Sequence, residues 1–461
     1  MNVIYLILDE KEEKKMEKHQ ITRREFIKLL GLSATSIGLA SCVPQATPTG
    51  VSAPTAAATA ATAAEPEGKV VAWAWDPLNA AFESVIPGFQ KKYPKITVEV
   101  VNVPWDDIHT KLTAAIEAGS GGPDACSVEG YIMPTFTGPG VVDLTEQLTP
   151  YRADIAPAKF FEIEKDGKLY GVPSDPPPGA FIYRADLFEA AGISEVPGKW
   201  EELLQVVGPK ITVPDKQYLF GMDGENSPTF YWWRPLAAQL GSGYFDNSGK
   251  IAIDSPEAKR VTKWMYDVQN TFAASLKGVS YWESPAWWSA LKENRVAAAI
   301  AAPWMISMLE GEVPEQAGKW KAIPMPVWDE GNPNSGLLGG ASVVIPAISK
   351  NQEAAWKFLE YACLSQEGCV AQYKAGGIWP SYLPAFQDPV FDAADPYFGG
   401  QKVSRLFGDL TKQVSGVYYT RNFAEIDQNI VRPHLFKIFN DQESLDEGLK
   451  AAATEMQAMQ S

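Results

Sequence analysis

Apolar residues in the first part of the body of this chain recur with two different periods. Short segments at residues 70–75, 96–101 and 123–128, the first of them apolar throughout, predict three strands. Between the runs, apolar side chains recur at helical spacing, which predicts one helix after the first strand and another over residues 105–118. Alternating strands and helices predict a parallel sheet covered by helices, so the fold class is α/β.

The remainder of the chain carries both kinds of pattern in mixed order. Helical periodicity predicts helices at residues 186–192, 200–207, 228–240, 256–270, 354–364 and 444–459. Extended patterns predict strands within residues 166–173, at 180–183 and 297–301, and within the glycine-led segment 339–345. The α/β class therefore extends to the whole body of the chain.

Aromatic and acidic residues follow two of the predicted strands at the point where each strand ends. Trp75 and Asp76 come directly after the first strand, and Glu129 and Tyr131 follow the third. Ligands of open parallel sheets bind outside the carboxyl ends of the strands. We therefore expect these four residues to lie at a binding site.

The amino-terminal region has the pattern of an export signal. Arg23 and Arg24 precede an apolar run over residues 29–40, which is too short for a membrane helix because a span needs roughly 20 apolar residues. The arginine segment resembles the twin-arginine export signal, although plain secretory signals also carry paired arginines. The small residues that end in Cys42 resemble a bacterial lipobox. We therefore expect residues 1–41 to be a signal peptide and Cys42 to carry the lipid.

Composition separates the rest of the chain into a tether and a body. Residues 42–68 are mostly Ala, Thr and Pro and bury too little apolar surface to fold, which predicts a flexible tether or an O-glycosylated stalk. Residues 69–461 are long for one domain and suit two. The expected location is extracytoplasmic, lipid-anchored to the membrane, either at the cell surface or facing a periplasm.

Charge and metal-ligating residues exclude several function classes. A net charge of −16 argues against a nucleic-acid partner, which usually binds a basic face. Only three histidines accompany the four cysteines, so a structural zinc site is disfavoured and no metal or other cofactor is predicted. Cys126 is expected in the core. Cys363 and Cys369 are close enough in sequence to form a disulfide, but two buried thiols fit equally well.

Several short segments, each weak alone, occur in an order that resembles a known family. They lie at residues 75–76, 89–94, 122–124, 142–145, 167–173, 183–188, 302–304, 339–340 and 354–359. Together, and behind a lipoprotein-like signal, they resemble the large extracellular solute-binding proteins of bacterial ABC importers, the maltose-binding-like family 1. The resemblance implies a monomeric sugar-binding protein, not an enzyme, that delivers its ligand to an ABC transporter permease.

The resemblance also implies an architecture. The family has the two-lobed periplasmic-binding-protein fold of type II, in which each lobe is a mixed, mostly parallel sheet flanked by helices. Lobe I would comprise residues 69–173 and 340–371, and lobe II residues 174–339 and 372–461. Hinge strands would join the lobes, which would close over a ligand in the cleft between them.

Aromatic composition adds an argument about the ligand. The chain has 15 Trp, 17 Tyr and 20 Phe, and aromatic rings cover the C–H faces of sugars while carboxylates and amides bind the hydroxyls. An anionic ligand would instead need arginines or helix N-termini. Beyond the four residues at the strand ends, positions matched to the family motifs imply ligand contacts at Asp175, Trp232, Arg234, Trp304, Gly339 and Gly340, with Trp379 as a loop candidate near the cleft. Trp287 is a further candidate, because it and the adjacent Trp288 face different directions on a helix and one of them is expected in the core.

Other functions remain open on the same residues. A polyamine or peptide cargo is an alternative, because acids and aromatics also suit amines. Ferric iron is another, at the adjacent Tyr418 and Tyr419. A carbohydrate-active enzyme would need two carboxylates across the cleft, such as Glu129 with Asp175 or Glu283. Nothing in the sequence fixes such a pair at catalytic separation, so no enzymatic activity is predicted.

Overall fold

The computed structural model describes residues 66–222, 229–271, 275–276, 282 and 284–460. The predicted signal peptide, Cys42, most of the predicted tether and Glu283 lie outside the described residues. Within the described part of the chain, no helix is both long enough and apolar enough to cross a bilayer.

The body consists of short strands and of helices that cover them. In chain order the strands are β1 (Gly68–Ala74), β2 (Ile96–Asn102), β3 (Ala125–Glu129), β4 (Glu164–Lys165), β5 (Lys168–Leu169), β6 (Val172–Asp175), β7 (Ala180–Arg184), β8 (Phe220–Gly221), β9 (Ser275–Leu276), β10 (Ala298–Ala301), β11 (Trp320–Pro324) and β12 (Ala341–Val344). The longer helices are α1 (Leu78–Lys92), α2 (Trp105–Ala118), α3 (Pro256–Tyr266), α4 (Pro285–Lys292), α5 (Pro303–Glu312), α6 (Gln352–Leu364), α7 (Gln366–Gly376), α8 (Val403–Thr411), α9 (Arg432–Phe439) and α10 (Leu445–Gln460).

Shorter helical segments fill the connections. The α-helical ones are Met133–Phe136, Thr145–Leu148, Phe160–Ile163, Ala185–Ala190, Trp200–Glu202, Gly208–Ile211, Arg234–Ala238 and Phe423–Ile426. The wider π turns are Leu203–Val207, Thr229–Trp233, Asp267–Thr271 and Asp427–Val431, and the 3₁₀ turns are Thr149–Asp154, Pro157–Lys159, Pro314–Gln316, Leu383–Gln387 and Pro389–Asp392.

The first sheet has the strand order β2-β1-β3-β12-β6. Strand β1 runs parallel to both β2 and β3, as the alternation of strands and helices predicts. Strand β12, which returns from far along the chain, lies antiparallel between β3 and β6. The carboxyl ends of β1, β2 and β3 consequently meet at one edge of this sheet, next to the amino end of β12.

The second sheet differs from the expected mostly parallel arrangement. Its order is β10-β7-β11, and β7 pairs antiparallel with both neighbours. Strands β10 and β11 run in the same direction because both pair antiparallel with β7, which lies between them. The chain passes through α5 on its way from β10 to β11. The mostly parallel sheet that the resemblance implied for each lobe was therefore wrong for this one. The apolar pattern of each strand could not correct it, because that pattern reports burial and carries no information on strand direction.

Two hydrophobic cores accompany the two sheets. The first is built from residues 70–172 and 341–364 together with Ile378, and the second from residues 180–338 and 379–456 together with Val370. Edge-to-face rings fill both cores. Phe82 and Phe358 have ring centroids 5.7 Å apart in the first, and Trp200 and Trp264 are 5.2 Å apart in the second. Such pairs add to the large area that aromatic residues bury.

Helix α2 positions the site at the end of β2. Its apolar side, including Ile108 and Leu112, is buried, and it ends at Gly119, whose φ of 68° is the left-handed conformation that favours glycine. The helix begins at Trp105, three residues after β2 ends. This places the indole of Trp105 at the same sheet edge as the carboxyl ends of β1 and β3.

The three described cysteines are free and buried. Cys126 lies in the first core, as predicted. Cys363 and Cys369 are thiols, and the Cys369 Sγ lies 3.3 Å from the carbonyl oxygen of Cys363. Of the two alternatives for this pair, the structure therefore shows the buried thiols.

Candidate ligand-binding site

A cavity of about 800 Å³ lies where the two hydrophobic cores meet. Its lining comes from the carboxyl ends of the first-sheet strands, from the π turn before residue 234, and from α5 and α9. Eight of the residues predicted from the sequence line it: Trp75, Asp76, Glu129, Tyr131, Asp175, Trp304, Gly339 and Gly340.

The first wall of the cavity is aromatic. Trp75 is half-buried, and Trp105 stands beside it with 39% of its surface exposed. His109 lies between them, with its ring centroid 5.8 Å from each indole. Trp105 was not among the predicted site residues, although it follows the carboxyl end of β2 just as Trp75 follows that of β1.

The opposite wall belongs to the second core. Trp304 occupies the first turn of α5, and its indole N–H donates to the carbonyl oxygen of Leu338 at 3.2 Å. Tyr231 lies with its ring centroid 6.4 Å from that of Trp304, and Phe230 borders the same space. The cavity is therefore an aromatic cleft with rings on both sides.

Two acidic residues form its floor. Glu129, at the end of β3, accepts a hydrogen bond from the indole N–H of Trp105 at 3.3 Å, and burial raises its pKa to about 8 against that bond. Asp175, at the end of β6, accepts one from the backbone N–H of Trp379 at 3.2 Å. Burial raises the pKa of Asp175 to about 7, against the opposing charge of Lys159. Near neutral pH Glu129 is therefore largely protonated and Asp175 is about half protonated. A protonated carboxyl group can both donate to and accept from hydroxyls, whereas a carboxylate only accepts.

Lys159 is hydrogen-bonded to backbone carbonyl groups at this floor. It is almost fully buried, pairs with the carboxylate of Glu162, and donates to the carbonyl oxygens of Asp175 at 3.2 Å and Ala341 at 2.9 Å. Burial raises the pKa of Glu162, while Lys159 opposes that rise. A single ammonium group thus links the ends of β6 and β12.

Arg234 lies behind the cleft surface. The residue is buried, and its guanidinium carbon lies 4.6 Å from the ring centroid of Phe230, 5.3 Å from that of Tyr131 and 5.7 Å from that of Phe423. It borders a small adjoining cavity of about 10 Å³, which has room for about one water. Arg234 therefore supports the Tyr131 ring from behind and does not line the main cavity.

Three predicted contacts lie in the second core and do not line the cavity. Trp232 packs against Phe220, and Trp287 packs against Trp282. The Trp379 indole donates to Thr411 at 2.8 Å. Helix and loop positions near the cleft gave no information on side-chain direction, and these three indoles are buried in the second core. Of the three, Trp379 contributes to the floor through its backbone N–H.

The predicted role of the glycine pair has a geometric basis. Gly339 and Gly340 have φ values of 91° and 116°, which favour glycine. A Cβ on Gly340 would collide with the carbonyl oxygen of Asp175, and one on Gly339 would lie 3.3 Å from the Phe230 ring. The missing side chains leave the backbone of this segment open to the cavity.

Residues 72–365 match the family model of the bacterial extracellular solute-binding proteins. This match covers more than half of the chain. The chain therefore belongs to this family of binding proteins.

Curated relatives with named ligands cover most of the chain. An arabinooligosaccharide-binding protein of Halalkalibacterium halodurans is 24% identical over 377 residues, which are 78% of this chain and 81% of the relative. Another arabinooligosaccharide-binding protein, from Bacillus subtilis, is 24% identical over 401 residues, with 85% of this chain and 92% of the relative covered.

Among solved structures, the GacH receptor of Streptomyces glaucescens has the same fold. The two chains superpose with a TM-score of 0.68 at 22% identity, covering 86% of this chain and 98% of the receptor, which was also determined in complex with acarbose. The predicted two-lobed type II fold is thereby confirmed, with the cleft lying between the lobes.

Proposed function

We propose that this protein captures a neutral carbohydrate in the cleft between its lobes and delivers it to the permease of a bacterial ABC importer. The observation that carries the proposal is the juxtaposition of Trp75 and Trp105 on one wall with Trp304 on the other, above a floor of Glu129 and Asp175. Rings on both sides suit the two C–H faces of a sugar, and the floor supplies partners for its hydroxyls. The arabinooligosaccharide-binding relatives support this ligand class.

The volume of the cleft favours a di- or oligosaccharide. About 800 Å³ lies at the upper end of the 300–1,000 Å³ that ligand pockets commonly span. Closure of the lobes over a ligand would narrow this space.

Lobe boundaries follow the chain crossings beside the floor. We assign residues 69–173 and 340–371 to lobe I and residues 174–339 and 372–461 to lobe II. The first two crossings then fall beside Asp175 and at Gly340, next to the floor of the cleft. The third boundary falls within α7, and the change from the first core at Ile378 to the second at Trp379 favours moving it to residue 378. Closure would rotate the lobes about these crossings, and the closed form would be the one that the permease recognises.

Export and anchoring complete the proposal. Residues 1–41 would direct export, and Cys42 would receive lipid, with the following residues as a tether to the body. Replacing Cys42 by serine should move the protein from the membrane fraction to the soluble extracytoplasmic fraction and abolish labelling by a radioactive fatty acid. Unchanged membrane association and labelling would contradict the assignment.

The experiment that tests the function is a thermal-shift panel. It contains arabinotriose, lactose, β-1,6-galactobiose and maltose, with spermidine, a mixed tripeptide and ferric citrate for the alternative cargoes. Binding to the native state raises the melting temperature by mass action, so a sugar should produce the largest shift. A shift with spermidine alone would instead favour an amine cargo bound by Asp76, Glu129 and Asp175. Hydrolysis of any sugar during incubation would contradict the proposal that the protein is a binding protein without catalytic activity.

A further inference from the structure

We propose that His109 is a positioning residue that fixes the aromatic wall and the floor of the cleft in the geometry that accepts the sugar. The inference rests on the proposed function, which assigns the cleft to a sugar. His109 does not line the cavity and would act through Glu129, Trp75 and Trp105.

His109 is hydrogen-bonded to the backbone of Glu129. The backbone N–H of Glu129 donates to His109 Nε2 at 3.1 Å. A backbone N–H can only donate, so Nε2 must be the unprotonated acceptor of the ring. The proton of the neutral imidazole is therefore on Nδ1, on the side that interacts with the backbone of Trp105. One ring thus joins the end of β3 to the start of α2.

The His109 ring also contacts two indoles. The His109 ring lies between Trp75 and Trp105, tilted by 49° to the first and nearly perpendicular to the second, at 79°. Trp105 in turn donates to the carboxyl group of Glu129 at 3.3 Å. His109 contacts every member of this set, so a change in its ring or its acceptor would disturb both the wall and the floor.

The His109 ring is uncharged in these surroundings. Burial lowers the pKa of His109 to about 4, while the backbone of Trp105 opposes the change. The acidic groups on the packed elements are Glu129 on β3, Asp76 after β1, and Asp106 and Asp107 on its own helix. The ring is therefore neutral at neutral pH, and it keeps the Nε2 lone pair that the Glu129 N–H requires.

The binding test uses two substitutions that separate the ring from the acceptor. His109→Phe keeps an aromatic ring but leaves the Glu129 N–H without its partner, which should weaken binding of arabinotriose, or of the panel sugar that binds wild type best, by about tenfold. His109→Gln offers a carbonyl oxygen to the same N–H and should recover most of that loss. His434→Gln, at the buried histidine that contacts Glu443 and Glu455, is the matched control and should bind as wild type does. Equal affinity of His109→Phe and wild type, or equal losses for His109→Phe and His109→Gln, would overturn the inference.

A second measurement needs no ligand. Nitrogen-15 spectra of histidine-labelled protein, with the His109 signals assigned by their loss in His109→Gln, should show a protonated Nδ1 and an unprotonated Nε2 from pH 5 to 8. A proton on Nε2, or titration in the ordinary range near pH 6.5, would overturn the inference. If no sugar binds the wild-type protein, the proposed function fails. The nitrogen-15 spectra still show in that case whether His109 Nε2 accepts the hydrogen bond from the Glu129 N–H.

Discussion

The ammonium group of Lys159 donates to the carbonyl oxygen of Ala341 at 2.9 Å, joining two residues that are 182 positions apart in the sequence. The same group pairs with Glu162 and contacts the backbone of Asp175. This buried cation lies at the place where the chain crosses between the two cores. It ties the crossing strands to each other beneath the cleft.

Removing this cation should destabilise the protein strongly. Lys159→Met leaves the buried Glu162 carboxyl without its partner, and breaking a buried pair in this way typically costs about 3–5 kcal/mol of unfolding free energy. The double variant Lys159→Met with Glu162→Leu removes both charges and should recover at least half of that loss. Urea unfolding of the three proteins gives the comparison. A double variant that is no more stable than Lys159→Met would contradict this account of the pair.

Trp304 should dominate the second wall. Trp304→Ala removes an indole fixed against the Leu338 carbonyl and should weaken sugar binding by at least about tenfold, since aromatic anchors carry much of the binding free energy in such sites. The control is Ile306→Ala on the same helix, which removes a half-buried side chain that does not line the cavity. Isothermal titration with the sugar chosen from the panel measures both variants. Similar losses for the two variants would show that helix stability, and not the indole, controls binding.

The buried acids should make the unliganded protein less stable as the pH rises. The folded-state pKa of Glu129 is raised from 4.5 to about 8 and that of Asp175 from 3.8 to about 7, so the native state holds more protons than the unfolded chain between these values. Unfolding free energy then falls with pH, by up to about 1.4 kcal/mol per pH unit for each group. Between pH 7 and 8 most of the remaining slope from this pair comes from Glu129, because Asp175 loses its last protons there. Glu129→Gln should flatten the stability curve there, and an identical slope in both proteins would contradict the assignment.

Gly340 should tolerate no side chain. Gly340→Ala combines a φ of 116° with a collision against the Asp175 carbonyl, and we expect a loss of at least about 3 kcal/mol in unfolding free energy together with loss of sugar binding. Gly119→Ala is the matched control, because that residue also has a positive φ, 68°, but open space around it. It should cost about 1 kcal/mol and leave binding unchanged. Chemical denaturation and titration calorimetry separate the two effects.

Much of the fold could be predicted because its signals are local. The runs that became β1, β2 and β3 are short, rich in apolar residues and separated by helices with one buried face, so the parallel part of the first sheet follows from periodicity. The direction of β7 relative to β10 and β11 could not be predicted in this way. Strand direction depends on the path of the chain between the strands, and packing throughout the second core determines that path.

The site was predicted in part for a similar reason. Residues at strand ends, such as Trp75 and Glu129, are placed by the sheet itself, and they line the cleft. Trp232 and Trp287 lie in helical segments, where a rotation of one residue moves a side chain from the cleft into the core. Trp105 could have been found by applying the strand-end argument to β2. His109 carries no such signal, because its contacts exist only after α2 has packed against β3.

The position of β12 between β3 and β6 has a consequence for how the chain is made. On the ribosome, β7, β10 and β11 all emerge before β12, so the sheet of the second core is synthesised while the first still lacks an inner strand. Until Ala341–Val344 arrives, β3 has an unpaired edge, which is the kind of surface on which unfinished chains associate. A chain that completes its folding inside the cell and then crosses the membrane whole never carries that open edge through the translocation machinery.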